Sequence, residues 1–343
     1  MKRRALFATL TLGALSLFAT LAPTAFAQTP IKFALDWRFE GPAAPYFVAL
    51  DKGYYKAEGL DVTIDTGNGS TEAINRAASG AYQFVFGDIN TLVRFRDKPE
   101  SKKLKVVAMI YDAPPFAIVS LKKAGISKPK DLEGKTLGAP AADGAYAQWP
   151  AFVKKNGIDA SKVKIENVGF PVREPMLVEG KVDAITGFSF SSYMNLRGRG
   201  IAQDDIHVML MRNLGLELYG NGIIVDSEYA AKNPKIVQGF IKATLKGWQD
   251  AIADPKGAIA SLMKRNAILN DGQEFVRFKM AIDQNVLTPE VRANGMGGVD
   301  MKRLARSIDQ IGEGFKFSNK PKAEDIFDAS YLPSMAERVI RLQ

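Results

Sequence analysis

The sequence predicts an α/β protein of two similar lobes joined by two chain crossings, with a cleft between them. Three observations carry that expectation. Strand-like and helix-like patterns alternate along the chain. One α/β unit occurs twice, as "GAYQFVFGDIN" from Gly80 and again as "GKVDAITGFSF" from Gly180, each with a second glycine at the matching place, Gly87 and Gly187. The carboxyl third, after "YGNGIIVDSEY", reads as helix throughout.

The elements follow in order. "MKRRALFATLTLGALSLFATLAPTAFA" has a basic start, an uncharged apolar run and the small-x-small ending Ala25-Phe26-Ala27. It predicts a signal peptide over 1–27, cleaved after Ala27, and an exported chain; Pro23 and the cleavage pattern argue against a membrane anchor. "IKFALDW" reads as a strand, "PYFVALDKGYYKAEG" as one helix ending at Gly59, and "LDVTID" as a strand. "STEAINRAASG" reads as a helix capped by Ser70 or Thr71 with Glu72 in its first turn, and "AYQFVFGD" as the next strand. This alternation argues for parallel strands under helices. The later copy matches piece by piece: "PAFVKKNGIDASKV" with "FVALDKGYYKAEGL", and "VKIENVGF" with "LDVTID". Turn chemistry at Gly125, Pro129 and Gly134 places the outward crossing near 118–121, and "YGNGIIVD" places the return near 222–225. The expected lobes are therefore 28–118 with 224–343, and 119–223. Asn233 and Pro234 start a helix that sets Ile236, Phe240, Ala243 and Gly247 on one face.

Composition narrows the function. With 343 residues, 46% of them hydrophobic, the chain can bury two cores. It has no cysteine, which excludes disulfides, iron–sulfur clusters, cysteine zinc sites and thiol nucleophiles. The formal charge of +9 falls to +6 once Lys2, Arg3 and Arg4 leave with the signal. The remaining basic residues are mixed with acids, as in "KKAGISKPKDLEGK", without the basic and aromatic interleaving that follows a nucleic-acid backbone. The single histidine, His207, lies in the apolar run "DDIHVMLM" and reads as structural, with Asp204 and Asp205 capping a turn. No Gly-x-Ser-x-Gly elbow or EF-hand spacing occurs, so neither a catalytic residue, a metal nor a cofactor is expected.

In open α/β sheets, ligands bind beyond the carboxyl ends of the strands. The loops there, over 37–45, 67–71, 87–91, 111–116, 140–149, 187–193 and 217–221, combine aromatics with Gly, Ser, Asp and Asn. That is the make-up of a pocket for a small planar, polar molecule. The candidate binding residues are Trp37, Arg38, Pro45, Gly69, Ser70, Asp88, Asp112, Tyr146, Phe188, Ser189, Tyr193, Glu217 and Tyr219. Trp37 stands where the first strand gives out, and Phe188, Ser189 and Tyr193 would oppose it from the second lobe. "TGNGST" reads equally as an anion-cradling turn or a plain one. Asp88 reads equally as an acceptor for a ring amine or a helix cap.

"LDWRFEGPAAPYFVALDKGYYKAEGLDVTI", with "DLEGKTLGAP", "VKIENVGF" and "GKVDAITGF", resembles the solute-binding proteins of the thiamine-pyrimidine/sulfonate type, a family that also contains the fungal thiamine pyrimidine synthases. The resemblance covers nearly all of the mature chain. It implies a two-lobed periplasmic-binding-protein fold of type II, each lobe a mixed sheet flanked by helices, with a hinge and an interlobe cleft. It also implies a periplasmic, monomeric receptor that delivers its ligand to an inner-membrane ABC permease with its ATPase subunits. Trp37 would stack on the ring of a thiamine-precursor pyrimidine. Where pyrimidine-binding members carry a polar, His-bearing loop, this chain has "RFEGPAAPYF". A sulfonate, nitrate or aromatic acid held by Arg38 or Arg173 is the alternative. The synthases consume a histidine and use a cysteine-rich segment; this chain has no cysteine and its one histidine, His207, lies in the wrong setting, which argues against the alternative of a synthase-like enzyme.

Overall fold

The structure is a computed structural model and describes residues 28–99, 101 and 103–340. The expected signal segment and its cleavage point after Ala27 lie outside the described residues. The chain lays down β1 (Thr29–Ala34), β2 (Leu60–Asp65), β3 (Phe84–Asp88) and β4 (Leu104–Met109), then leaves the first lobe. It builds β5 (Phe116–Leu121), β6 (Thr136–Gly138), β7 (Lys164–Glu166), β8 (Ala184–Phe188) and β9 (Ile206–Leu210), and returns as β10 (Asn221–Asp226). Two five-stranded sheets result, with orders β2-β1-β3-β10-β4 and β7-β6-β8-β5-β9. The orders superimpose term by term, and the paired strands β3 and β8 are the two that the repeated glycine motif marked.

Neither sheet is all parallel, as the alternation had suggested. β1 runs parallel to β2 and β3, and β6 parallel to β7 and β8. β10 is antiparallel to β3 and β4, and β5 to β8 and β9. The exceptions are the strands that enter directly from the other lobe, with no crossover helix to turn the chain round. The crossings also lie earlier than expected, over 110–115 and 215–220. Residues 116–118 hydrogen-bond within the second sheet, and 221–223 within the first. Gly125, Pro129 and Gly134 mark turns inside the second lobe instead, after the crossing is complete.

Helices cover the sheets: α1 (Ala44–Asp51), α2 (Tyr54–Ala57), α3 (Ser70–Ala78), α4 (Ile89–Phe95), α5 (Trp149–Asn156), α6 (Arg173–Val178) and α7 (Ser189–Gly198). After β10 follow α8 (Ser227–Lys232), α9 (Pro234–Ala253), α10 (Pro255–Met263), α11 (Asp271–Ala281), α12 (Pro289–Asn294) and α13 (Met301–Gly314). The expected single helix after the first strand is broken into α1 and α2 because Gly53 takes φ 70°, which ends α1. The start of α3 differs too. Its N-cap is Gly69, and the Ser70 hydroxyl bonds elsewhere.

On one face of the first sheet, α1 and α9 bury Phe33, Tyr46, Phe84, Phe240 and Trp248. Phe84 and Phe240 stack at 4.0 Å and both are fully buried. Each such ring contributes about 1.5–3 kcal/mol by leaving water. The core on the opposite face, around Val85 and Ile224, continues into the second lobe to Leu137, Trp149 and Phe152. A third cluster, with Val119, Leu177, Ile185 and Leu196, covers the far face of the second sheet.

Candidate ligand-binding site

The carboxyl ends of β1, β3 and β8 converge on a cavity between the lobes, about 620 Å³ of open space with its mouth included. The first lobe supplies Trp37, Tyr46 and Phe86 to its wall, the outward crossing Tyr111, and the second lobe Phe170, Phe188 and Phe190. The walls meet at Trp37 and Phe170, whose rings stand edge to face at 4.7 Å. That is a favourable arrangement of the two ring quadrupoles. Two polar atoms of this wall, Trp37 Nε1 and Tyr46 Oη, are buried without a hydrogen-bond partner. An unpaired buried group of this kind costs roughly 1–3 kcal/mol, which a guest able to bond it would recover.

Carboxyl groups line the same space. Asp36 accepts from Ser70 Oγ and from Asn221 Nδ2, both at 2.7 Å and both on Oδ2. Glu40 accepts from Ser191 Oγ at 3.1 Å and pairs with Arg277 at 3.1 Å, both on Oε2. In each carboxylate the second oxygen has no side-chain partner among the described residues. Asp143 accepts from Thr186 Oγ1 at 2.8 Å. Burial pushes the Asp36 carboxyl up to about 7, against the opposing pull of its bonds from Ser70 and Asn221. Asp143 is also raised by burial, more than the nearby Arg173 lowers it. Burial opposes the charge of Arg173, yet Glu174 and Asp143 together hold that guanidinium above its ordinary value. Glu174 takes two of its hydrogen bonds, at 3.1 and 2.7 Å. Arg173 is thus satisfied within its own lobe.

Of the expected binding residues, Trp37, Arg38, Gly69, Ser70 and Phe188 line the cavity, as does Arg173. The others do not. Pro45 is buried inside α1 and does not reach the cavity, which Pro42, Ala43 and Tyr46 line instead. Asp88 caps α4, accepting from the backbone N–H groups of Asn90 and Thr91 and from the Thr91 hydroxyl, so its lone pairs are taken. Asp112 and Tyr219 belong to the hinge, where Arg303 pairs with Asp112 at 3.1 Å and lies 3.8 Å over the Tyr219 ring. Glu217 pairs with Arg306 on the surface. Tyr146 packs into the shared core, Ser189 begins α7 behind the wall, and Tyr193 packs against the far cluster of the second lobe. Asp36, Tyr46 and Phe170 lie outside the loops expected at the pocket, whereas Glu40, Tyr111, Asp143 and Ser191 lie within those loops but were not singled out. The loop carrying Phe170 read as part of a strand, since "VKIENVGF" continues an alternating pattern, whereas β7 stops at Glu166. His207 sits on the edge strand β9, opposite Ser120, and is not part of the cavity. Among the described residues no group of His, Asp or Glu is placed to hold a metal ion, and no helix is long and apolar enough to cross a membrane.

The family model described as NMT1/THI5 like matches residues 42–258. A riboflavin-binding protein of Chloroflexus aurantiacus is 30% identical over 328 residues, covering 92% of this chain and 90% of that protein. A formylaminopyrimidine-binding protein of Halalkalibacterium halodurans is 27% identical, covering 69% and 71%. A 4-amino-5-hydroxymethyl-2-methylpyrimidine phosphate synthase of Saccharomyces cerevisiae is 26% identical, covering 73% and 75%. Among solved structures, the periplasmic aliphatic sulphonate-binding protein SsuA of Escherichia coli superimposes with a TM-score of 0.69 at 12% identity, covering 88% of this chain and 99% of that one. At that identity the likeness is one of fold, and the fold is the two-lobed periplasmic-binding-protein fold that the resemblance implied.

Proposed function

The chain belongs to the NMT1/THI5-like family, and from that premise we propose that it is the extracytoplasmic solute-binding protein of an ABC importer, taking a planar nitrogen heteroaromatic into the interlobe cleft. The observation that carries this reading is the aromatic chamber shared between lobes, with Trp37 of one set 4.7 Å from Phe170 of the other. A flat ring entering it gains stacking and apolar contact from both sides only when the lobes are together, so binding favours closure. The free oxygens of Asp36 and Glu40 suit ring or exocyclic N–H donors, and Trp37 Nε1 offers a donor to a carbonyl or ring nitrogen. A thiamine-precursor pyrimidine meets these terms. So does the pyrimidinedione edge of a flavin, and relatives named for a pyrimidine and for riboflavin support this shared ring chemistry.

A simple sulfonate or nitrate fits the chamber less well. Arg173 is already neutralised by Glu174 and Asp143. Arg38 is unpaired among the described residues, but an anion inside the chamber would still lie against the carboxyl groups of Asp36, Glu40 and Asp143. The synthase alternative finds no histidine in the chamber, His207 being on an outer strand. The test is titration calorimetry of the mature protein with 4-amino-5-hydroxymethyl-2-methylpyrimidine, riboflavin and an alkanesulfonate. A heteroaromatic should bind, and Trp37→Ala should weaken it by at least about tenfold while leaving the unfolding midpoint nearly unchanged. Binding of the sulfonate alone, or an unaltered affinity in the variant, would refute the reading.

A further inference from the structure

Beyond Trp37 and Phe170 lies a second recess of about 780 Å³, its open mouth included, which shares those two rings and Arg38 with the chamber. Apart from the shared pair it contains no aromatic residue. Its remaining walls include Glu174, Asn195, Arg199 and Gln273. The charges there are unevenly matched. Arg173 and Arg277, just behind the wall, are neutralised by Glu174, Asp143, Glu40 and Glu274. Arg38 and Arg199, which face the recess, pair with no carboxylate among the described residues. The Glu174 carboxylate, the one acid in the recess, is engaged by Arg173 through Nε and Nη2. Asn195 accepts from Arg277 through Oδ1 at 3.2 Å, which leaves its amide N–H groups unused.

The recess therefore presents more donors than acceptors, since Arg173 already meets the Glu174 charge through Oε1 and leaves Oε2 and the Gln273 amide oxygen against the guanidinium groups of Arg38 and Arg199. The donors come from both lobes, Arg38 and Gln273 from the first and Asn195 and Arg199 from the second. The lobes meet here closely enough that a Cβ on Gly198 would stand 3.3 Å from the Gln273 amide. Trp37 borders both compartments, and the Arg38 guanidinium, which lines both as well, stands 5.5 Å from its ring centre.

We propose that this outer recess is a subsite for an anionic, acceptor-rich substituent of the ring ligand, of which a phosphate ester is the class that fits. The inference rests on the heteroaromatic reading of the chamber. The ring lies inside Trp37 and Phe170, and the substituent stays outside, where two guanidinium groups can bracket its oxygens from opposite lobes. Because these arginines are exposed, the attraction is screened by salt, unlike the stacking within.

The experiment compares ring alone with ring plus phosphate: riboflavin against its 5′-phosphate, and 4-amino-5-hydroxymethyl-2-methylpyrimidine against its phosphate ester, by titration at low and at raised salt. In the chain that binds the ring, the ester should bind about tenfold more tightly at low salt, and the gain should shrink as salt rises. Arg199→Ala should weaken the ester by more than it weakens the unesterified ring, and Arg199→Lys should restore part of the difference. An ester that binds no better than its parent ring, or a gain that survives Arg199→Ala, would overturn the subsite and leave the chamber reading standing. If neither ring binds, both fall together.

Discussion

Asp36 stands between the last residue of β1 and Trp37, 5% exposed, and its chemistry sets a pH dependence. Burial raises its folded-state value from 3.8 to about 7, so the folded chain keeps this proton over a range where the unfolded chain has lost it. Its contribution to stability is therefore whole at low pH and is lost as pH rises through that window, levelling above it. At 1.36 kcal/mol per unit the loss has an upper bound of about 4 kcal/mol. The urea midpoint of the wild type should fall between about pH 4 and about pH 7 and level above that. Asp36→Asn should flatten that slope, because one amide oxygen can still accept from both Ser70 and Asn221. Asp88, Asp143 and Glu274, also raised by burial, leave a residual slope of the same sign. A variant as steep as the wild type would remove Asp36 as the source. Trp37 was legible in the sequence because a large ring at the end of an alternating run has few structural uses. Asp36, Glu40 and Asp143 were not. A carboxylate in a polar loop reads as a surface charge until folding shows that it is buried.

Among the elements, α13 ties the hinge. Arg303 Nη2 donates to the Asp112 carbonyl at 2.7 Å and to the Leu218 carbonyl at 2.8 Å, one in each crossing segment. Its Nη1 reaches the carboxylates of Asp112 and Glu290. One turn on, Ser307 donates to the Glu217 carbonyl, and Gln310 bonds both Glu217 N–H and the Gly215 carbonyl. Loop backbone that no sheet satisfies is thus paired by one helix. Arg303→Ala should cost about 3 kcal/mol, since it strands a buried carboxylate and two carbonyls. Arg303→Lys should recover a minor part, because an ammonium lacks the planar fork. Urea unfolding measures both, and a loss below about 0.5 kcal/mol in the alanine variant would contradict the clamp. Nothing in the sequence announced this helix as a hinge element. Its apolar face was readable, but the hinge partners of Arg303, Leu218 and Asp112, lie 85 and 191 positions upstream. The paired strands β3 and β8 were readable because both follow a helix-ending glycine at positive φ, Gly80 and Gly180.

At the scale of the whole molecule, the doubled architecture was legible from the repeated unit, but how its halves close was not, since neither copy encodes its opposite. Closure is held partly away from the ligand. Gln148 of the second lobe donates to Asp88 of the first at 3.2 Å, and Arg94 of the first lobe donates to the Ala147 carbonyl of the second. Neither Gln148 nor Asp88 lines the chamber. A bond that exists only when the lobes are together raises the closed fraction, and apparent affinity scales with that fraction. Gln148→Met keeps the side-chain volume and removes the bond, while Asp88 retains its capping partners on Asn90 and Thr91. At about 1 kcal/mol for the bond, every ligand should bind about fivefold more weakly, by the same factor whatever its ring or substituent. That uniformity separates closure from recognition. Trp37→Ala should weaken ligands according to their rings, and Arg199→Ala according to their charge. Titration of three chemically different ligands against Gln148→Met decides the matter: a factor that differs among them, or no change at all, would mean that this contact does not govern closing.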